Sequence, residues 1–167
     1  MLRHAKEYGK ASEASAAAGN WDALVRGSYA MLRDAQCQLI LTPFPPDAPD
    51  VMQRRLFSGD MMCFYDGSMR DAPKTWEEYL EAQHISVRFL GGHDSNEALR
   101  GVDKPAIPQP TVTVSNFNAI PSFVKGTTLL STELSTMHIG PLRELSMAPL
   151  LFESEPVSLY MAWHERS

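Results

Sequence analysis

The chain has 167 residues, 44% of them hydrophobic and 21% charged, with a formal net charge of −5. That is enough apolar material for one domain or two small lobes, and the acidic balance argues against a surface that binds a polyanion such as DNA. No apolar run approaches the roughly 20 residues that span a bilayer, and no apolar segment follows the charges of MLRHAKEYGK, so neither a membrane span nor a signal peptide is expected and a cytoplasmic location follows by default.

Residues 1–9 read as a helix end with Leu2, Ala5 and Tyr8 on one side, and the Ala/Ser-rich stretch 10–19 as a weak helix or a loop. Asn20 then caps a better helix, Trp21 to Leu32, with Leu24, Val25 and Leu32 on one face. Cys37 to Thr42 is a continuous apolar run and predicts a central parallel strand buried on both faces. Pro43, Pro45, Pro46 and Pro49 stiffen the connection after it and fix where Phe44 points. VMQRRLF and MMCFYD predict a hairpin turning through Ser58-Gly59-Asp60. Thr75 and Glu78 form a capping box for TWEEYLEA, with Pro73 just ahead of it. A strand over His84–Leu90 follows, then GGHDS and a short helix ending at Gly101.

The richest stretch is TVTVSNFNAIPSFVKGTTLLST, residues 111–132. It reads as strand, cap at Ser115 or Asn116, apolar helix, Gly126 at a helix end, and strand: a βαβ crossover that favours a parallel sheet. Pro121 should kink that helix in its second turn. A helix interrupted near Gly140-Pro141 is expected over 134–148, with strands at Leu150–Phe152 and Val157–Trp163. The fold class is α/β.

No catalytic set assembles. The chain lacks a nucleophile elbow, an H-E-x-x-H helix, a P-loop and a G-x-G-x-x-G turn. Cys37 and Cys63 lie in strand-like runs without zinc spacing and read as reduced core residues; no metal or other cofactor is expected. His84 reads as a packed histidine, His138 and His164 lack a partner nucleophile or metal spacing, and the carboxylate pairs Asp66/Asp71 and Glu77/Glu78 read as solvated surface. His93, between Gly-Gly and Asp-Ser, is either a ligand contact or a solvated loop histidine. The groups that converge are of the binding kind: Thr42, Phe44, His93, Ser115, Asn116 and Asn118 suit a small ligand with a carboxylate or carbonyl, while Ser115 or Asn116 serving only as a cap, and Phe44 as core, stay open.

Three segments resemble the effector-binding half of LysR-type transcriptional regulators: VSNFNAIPSFVKGTTLLST, the ending SLYMAWHERS, and QCQLILTPFPPDAPDVMQRRLFSGDMMCFYD, together covering roughly residues 31–166 in the family's order. The resemblance implies a two-lobed fold of the periplasmic-binding-protein (type 2) kind with mixed sheets. Residues 1–46 and 150–167 would belong to a first, incomplete lobe and 47–149 to the second, with no DNA-binding domain. It maps ligand contacts onto Thr42, Pro43 and Phe44, onto Asn116 and Phe117 with Ser115 beside them, and onto His93. It implies a non-enzymatic sensor of a small-molecule effector, such as a carboxylate, that signals to a winged helix-turn-helix absent here, makes no direct nucleic-acid or membrane contact, and forms a homo-oligomer. The chain would begin after the family's first regulatory strand and stop before its returning helix. Thr128 stands where the family usually has Asp, and Leu134 where it usually has Pro. Two other classes stay open: a small-molecule enzyme on the same scaffold, and a truncated remnant that acts by association alone.

Overall fold

The structure, a computed structural model, describes residues 25–89, 94–96 and 107–166; the expected elements at 1–24 and up to Gly101, and His93 itself, lie outside them. The chain divides into two units, Met1–Ser58 with Ser158–Ser167, and Gly59–Val157. These junctions fall further along the chain than the 46/47 and 149/150 boundaries that the family resemblance implies. The reason is that strand β2 (Val51–Gly59) lies beside β8 (Val157–His164) and keeps residues up to 58 with the first unit.

The second unit is built on a five-stranded sheet in the order β5-β4-β6-β3-β7. Its strands are β3 (Met61–Tyr65), β4 (His84–Val87), β5 (Val112–Val114), β6 (Leu130–Leu134) and β7 (Ser146–Pro149). β4 runs parallel to both neighbours, Ile85 pairing with Val112 on one side and with Ser131 on the other. The 111–132 stretch is therefore the expected crossover, with β4 lying between its two strands. Alternation along the strands sorts the core into two sides. Phe64, Ile85 and Val87 meet Ile120, Val124 and Leu142, whereas Cys63 and Leu130 meet Tyr79.

Helix α2 (Trp76–Glu81) starts as its capping box predicts, Glu78 N–H donating to Thr75 Oγ1 at 3.2 Å; Glu78 Oε2 reaches back to Lys74 N–H at 2.8 Å. The Pro121 expectation is corrected. A 3₁₀ turn at Phe117–Ala119 precedes helix α3 (Ile120–Val124), which places Pro121 in the first turn, where its missing N–H costs no bond. Gly126 takes the positive φ expected of it, +74°, and its N–H donates to Asp66 Oδ2 at 2.7 Å. Asp66 also receives Ser68 N–H and Ser68 Oγ–H, so it is a loop clamp rather than a solvated carboxylate, and these donors hold its carboxyl below the usual range.

Between residues 134 and 148 a 3₁₀ turn (Ser135–Ile139) and successive bends replace the expected helix. Gly140 and Leu142 N–H both donate to Met137 O, which delivers Leu142 and Leu145 to the core at helix-like spacing without a helix. Leu150–Phe152 is not a strand. Phe152 sets its edge on Trp76 at 5.1 Å. Likewise β2 and β3 are separated by a single residue yet join different sheets, so the expected hairpin does not form. A Cβ at Gly59 would come within 3.0 Å of Ser135 Oγ, which explains glycine at that passage.

The first unit, by itself, is a three-stranded sheet β1-β8-β2 with β1 (Leu39–Thr42) antiparallel to β8, and a helix, α1, described over 25–33. Leu32 and Tyr29 of α1 cover one face, against Ile40, Val51 and Ala162. The other face is open: Leu39 and Leu41 are 50% and 58% exposed. Among the described residues the central parallel strand expected at 37–42 is instead an antiparallel strand at the end of the order β1-β8-β2, because an apolar run reads the same whether or not both of its sides are covered.

Leu41→Ala should cost less than about 1 kcal/mol in urea unfolding, whereas Phe64→Ala, which empties a fully buried site, should cost about 3–5 kcal/mol.

Candidate functional site

Thr42 ends β1 with its side chain buried, and its Oγ1 accepts Phe44 N–H at 3.1 Å. This side-chain turn spans Pro43 and sets the backbone at Phe44, the position the proline stretch was expected to fix. In the second unit, Ser115, Asn116 and Phe117 directly follow β5, where the parallel strands β4 and β5 both end. Ser115 and Asn116 are exposed; Asn116 Oδ1 caps the 3₁₀ turn by accepting Ala119 N–H at 3.2 Å, and its Nδ2 donates to Ser115 Oγ at 3.3 Å. The cap reading is therefore realised, and it takes up an amide that a ligand would otherwise receive. With α3 only five residues long, the dipole end expected there is slight as well. Phe117 is half-buried, packed on the Ile85–Val87 core and set against Phe89 with ring centres 6.1 Å apart.

Among the described residues, His84 and His164 have structural roles. His84 is buried, Nε2 donating to Tyr79 O at 2.7 Å with the tyrosine ring against it, and Tyr79 Oη sits 2.6 Å from Thr132 Oγ1. His164, read as lacking a partner nucleophile or metal spacing, bonds a carboxylate instead, Nε2 to Asp50 Oδ2 at 3.1 Å, and Tyr29 Oη donates to the same oxygen at 3.0 Å. Because Arg166 N–H donates to His164 Nδ1, the proton of the neutral ring sits on Nε2. This constellation ties α1, the start of β2 and the end of β8. Cys63 is buried, which pushes its thiol up to about 12, and Cys37 is half-buried; both are free. Among the described residues no three of His, Cys, Asp and Glu are placed to hold a metal ion. A shallow hollow on the first unit is lined by Gln38, Leu39, Met161 and Trp163, and none of the sequence-predicted contacts lines it.

The sequence reading missed one cluster altogether. Glu133, in β6, is 2% exposed, and its Oε1 accepts Ser95 Oγ–H at 3.0 Å and Ser131 Oγ–H at 3.3 Å. Ser86 Oγ, at the end of β4, lies 2.9 Å from Ser95 Oγ and donates to Asp94 Oδ1 at 3.3 Å, which also takes Asn96 N–H at 3.0 Å. Burial pushes the Glu133 carboxyl up to about 8; the serine hydroxyls pull it down and Asp94 adds to the rise. The available signal was the alternation Leu130, Thr132 against Ser131, Glu133, but a carboxylate after LLST looked like the strand's exit to solvent.

No protein-family model and no curated protein sequence matches the chain. Solved structures do match in fold. The regulatory domain of MexT, a transcriptional activator in Pseudomonas aeruginosa, superposes with a TM-score of 0.62 at 16% identity, covering 81% of this chain and 66% of that one. CbnR, a LysR family transcriptional regulator, gives 0.60 at 10% identity over 82% and 49%. CrgA, a LysR-type transcriptional regulator from Neisseria meningitidis, gives 0.57 at 14% identity over 83% and 49%. The chain spans about half to two thirds of the length of these structures.

Asn116→Ala should remove the cap and destabilise the chain by about 1 kcal/mol, while Asn116→Ser should recover most of that loss; equilibrium unfolding of both variants checks it.

Proposed function

From a two-sheet α/β fold shared with the regulatory domains of LysR-type transcriptional regulators, we propose that the chain is a small-molecule sensor whose effector state is passed to a DNA-binding part. The likeness of fold over about four fifths of the chain carries this reading. It is supported by two turns at strand ends that present backbone and side-chain polar groups beside an aromatic ring: Thr42, Pro43 and Phe44 after β1, and Ser115, Asn116 and Phe117 after β5. These six residues and His93 are the proposed ligand contacts. Hydroxyls, amides and aromatic edges suit a carboxylate-bearing or carbonyl effector.

Signalling requires that the effector bind two arrangements of the protein with different affinity, since equal affinity shifts nothing. The sensor operates in the cytoplasm and as a homo-oligomer, so that one binding event is read by paired DNA-binding parts. No described helix is long and apolar enough to cross a membrane.

A thermal-shift panel of aromatic and aliphatic carboxylates tests the proposal. One class should raise the melting temperature, each tenfold excess over Kd adding about 1.4 kcal/mol of apparent stability. Phe117→Ala should remove most of that shift while leaving a cooperative melt. Turnover of the stabilising compound, lost in His93→Ala, would favour the enzyme reading, and a panel without any shift would sink the sensor.

A further inference from the structure

We propose that Glu133 is a proton-controlled anchor: neutral, it holds the segment Asp94–Asn96 against the ends of β4 and β6, and ionised, it lets that segment go. The inference is independent of the effector reading. The segment has two kinds of attachment. Its backbone joins β4, where Ser95 N–H donates to Val87 O at 2.8 Å and Arg88 bridges Asp94. Its described tie to β6 is the hydrogen bond from Ser95 Oγ to Glu133 Oε1.

Counting protons shows why this tie depends on the carboxyl. Ser86, Ser95 and Ser131 each have one hydroxyl hydrogen, and among them they face one another, Glu133 and Asp94. If Ser86 donates to Asp94 and Ser95 to Glu133, nothing remains for the 2.9 Å contact between the two serines. A neutral Glu133 adds a hydrogen to this oxygen-rich group.

An ionised Glu133 adds a second negative charge instead. Asp94 is the charged group among the described residues that acts on it; β3 offers Met62 opposite, β4 offers Ser86, and β6 itself offers Ser131. No cation among these offsets the cost of burying the ion. The direction follows: burial raises the folded pKa above its unfolded value, so the stabilisation is complete at low pH and is lost as pH rises through the folded value near 8.

Amide hydrogen exchange on the full chain from pH 6 to 9.5, corrected for the intrinsic base-catalysed rate, reads the anchor directly. Protection of the Ser95 amide should fall at least tenfold across pH 8 in the wild type and stay high in Glu133→Gln, whose amide oxygen accepts the same serines without charge. A Glu133→Gln profile that tracks the wild type, or flat protection in both, overturns the proposal. If the variant does not fold, carbon-13 titration of the wild-type Glu133 carboxyl decides: a midpoint near 8 supports the anchor, and one below about 5 refutes it.

Discussion

Every residue of β4 is buried, and the second unit is arranged around that fact. The strand is covered on both faces and still alternates polar with apolar residues, so His84 and Ser86 need internal partners. His84 finds Tyr79 O, and Ser86 finds Asp94 and Ser95. The parallel neighbours follow from the crossover: with β4 between β5 and β6, the 3₁₀ turn and α3 must pass over it, and they bring Ile120 and Val124 onto Ile85 and Val87. Where β4 and β5 end, the Ser115–Phe117 turn is the natural place for polar groups to meet a ligand. The proposed contacts and the packing of the core thus meet at one strand.

Local signals in the sequence carried through wherever they were decided by neighbours in the chain. Thr75 with Glu78 started α2, Asn116 capped its turn, and Gly126 adopted the left-handed conformation. The kink expected at Pro121 failed on a local register, since the helix starts only at Ile120; most other failures needed information about distant residues. The apolar run 37–42 could not show that its partner would be an antiparallel β8 and that one side would stay uncovered. VMQRRLF and MMCFYD had hairpin spacing, yet sheet membership is set by β8, about a hundred residues beyond β2, and by β6, about seventy beyond β3. The candidate contacts were half legible: the turns at Thr42 and Asn116 exist, but the cap occupies an amide that had been assigned to a ligand. Glu133 escaped because a carboxyl is read as exposed unless its serine partners, thirty-eight and two residues away, are known.

In the first unit, polar geometry does work that a small core cannot. Leu32, Val51 and Ala162 are its buried centre, and the Tyr29–Asp50–His164 constellation joins the same three elements at their rim. Asp50 serves two donors on one oxygen, and its carboxyl is held below the usual range, Tyr29 contributing most among the groups that lower it against the opposing effect of burial.

One margin of the five-stranded sheet ends on a proline, and two more prolines lead into the other. Pro149 is the last residue of β7, and Pro108 and Pro110 come just before β5. Proline offers no N–H for a further ladder, and both bordering strands are short. A further strand laid beside β7 would lack a donor at Pro149, which makes that rim of the second unit a poor template for pairing with a neighbouring molecule.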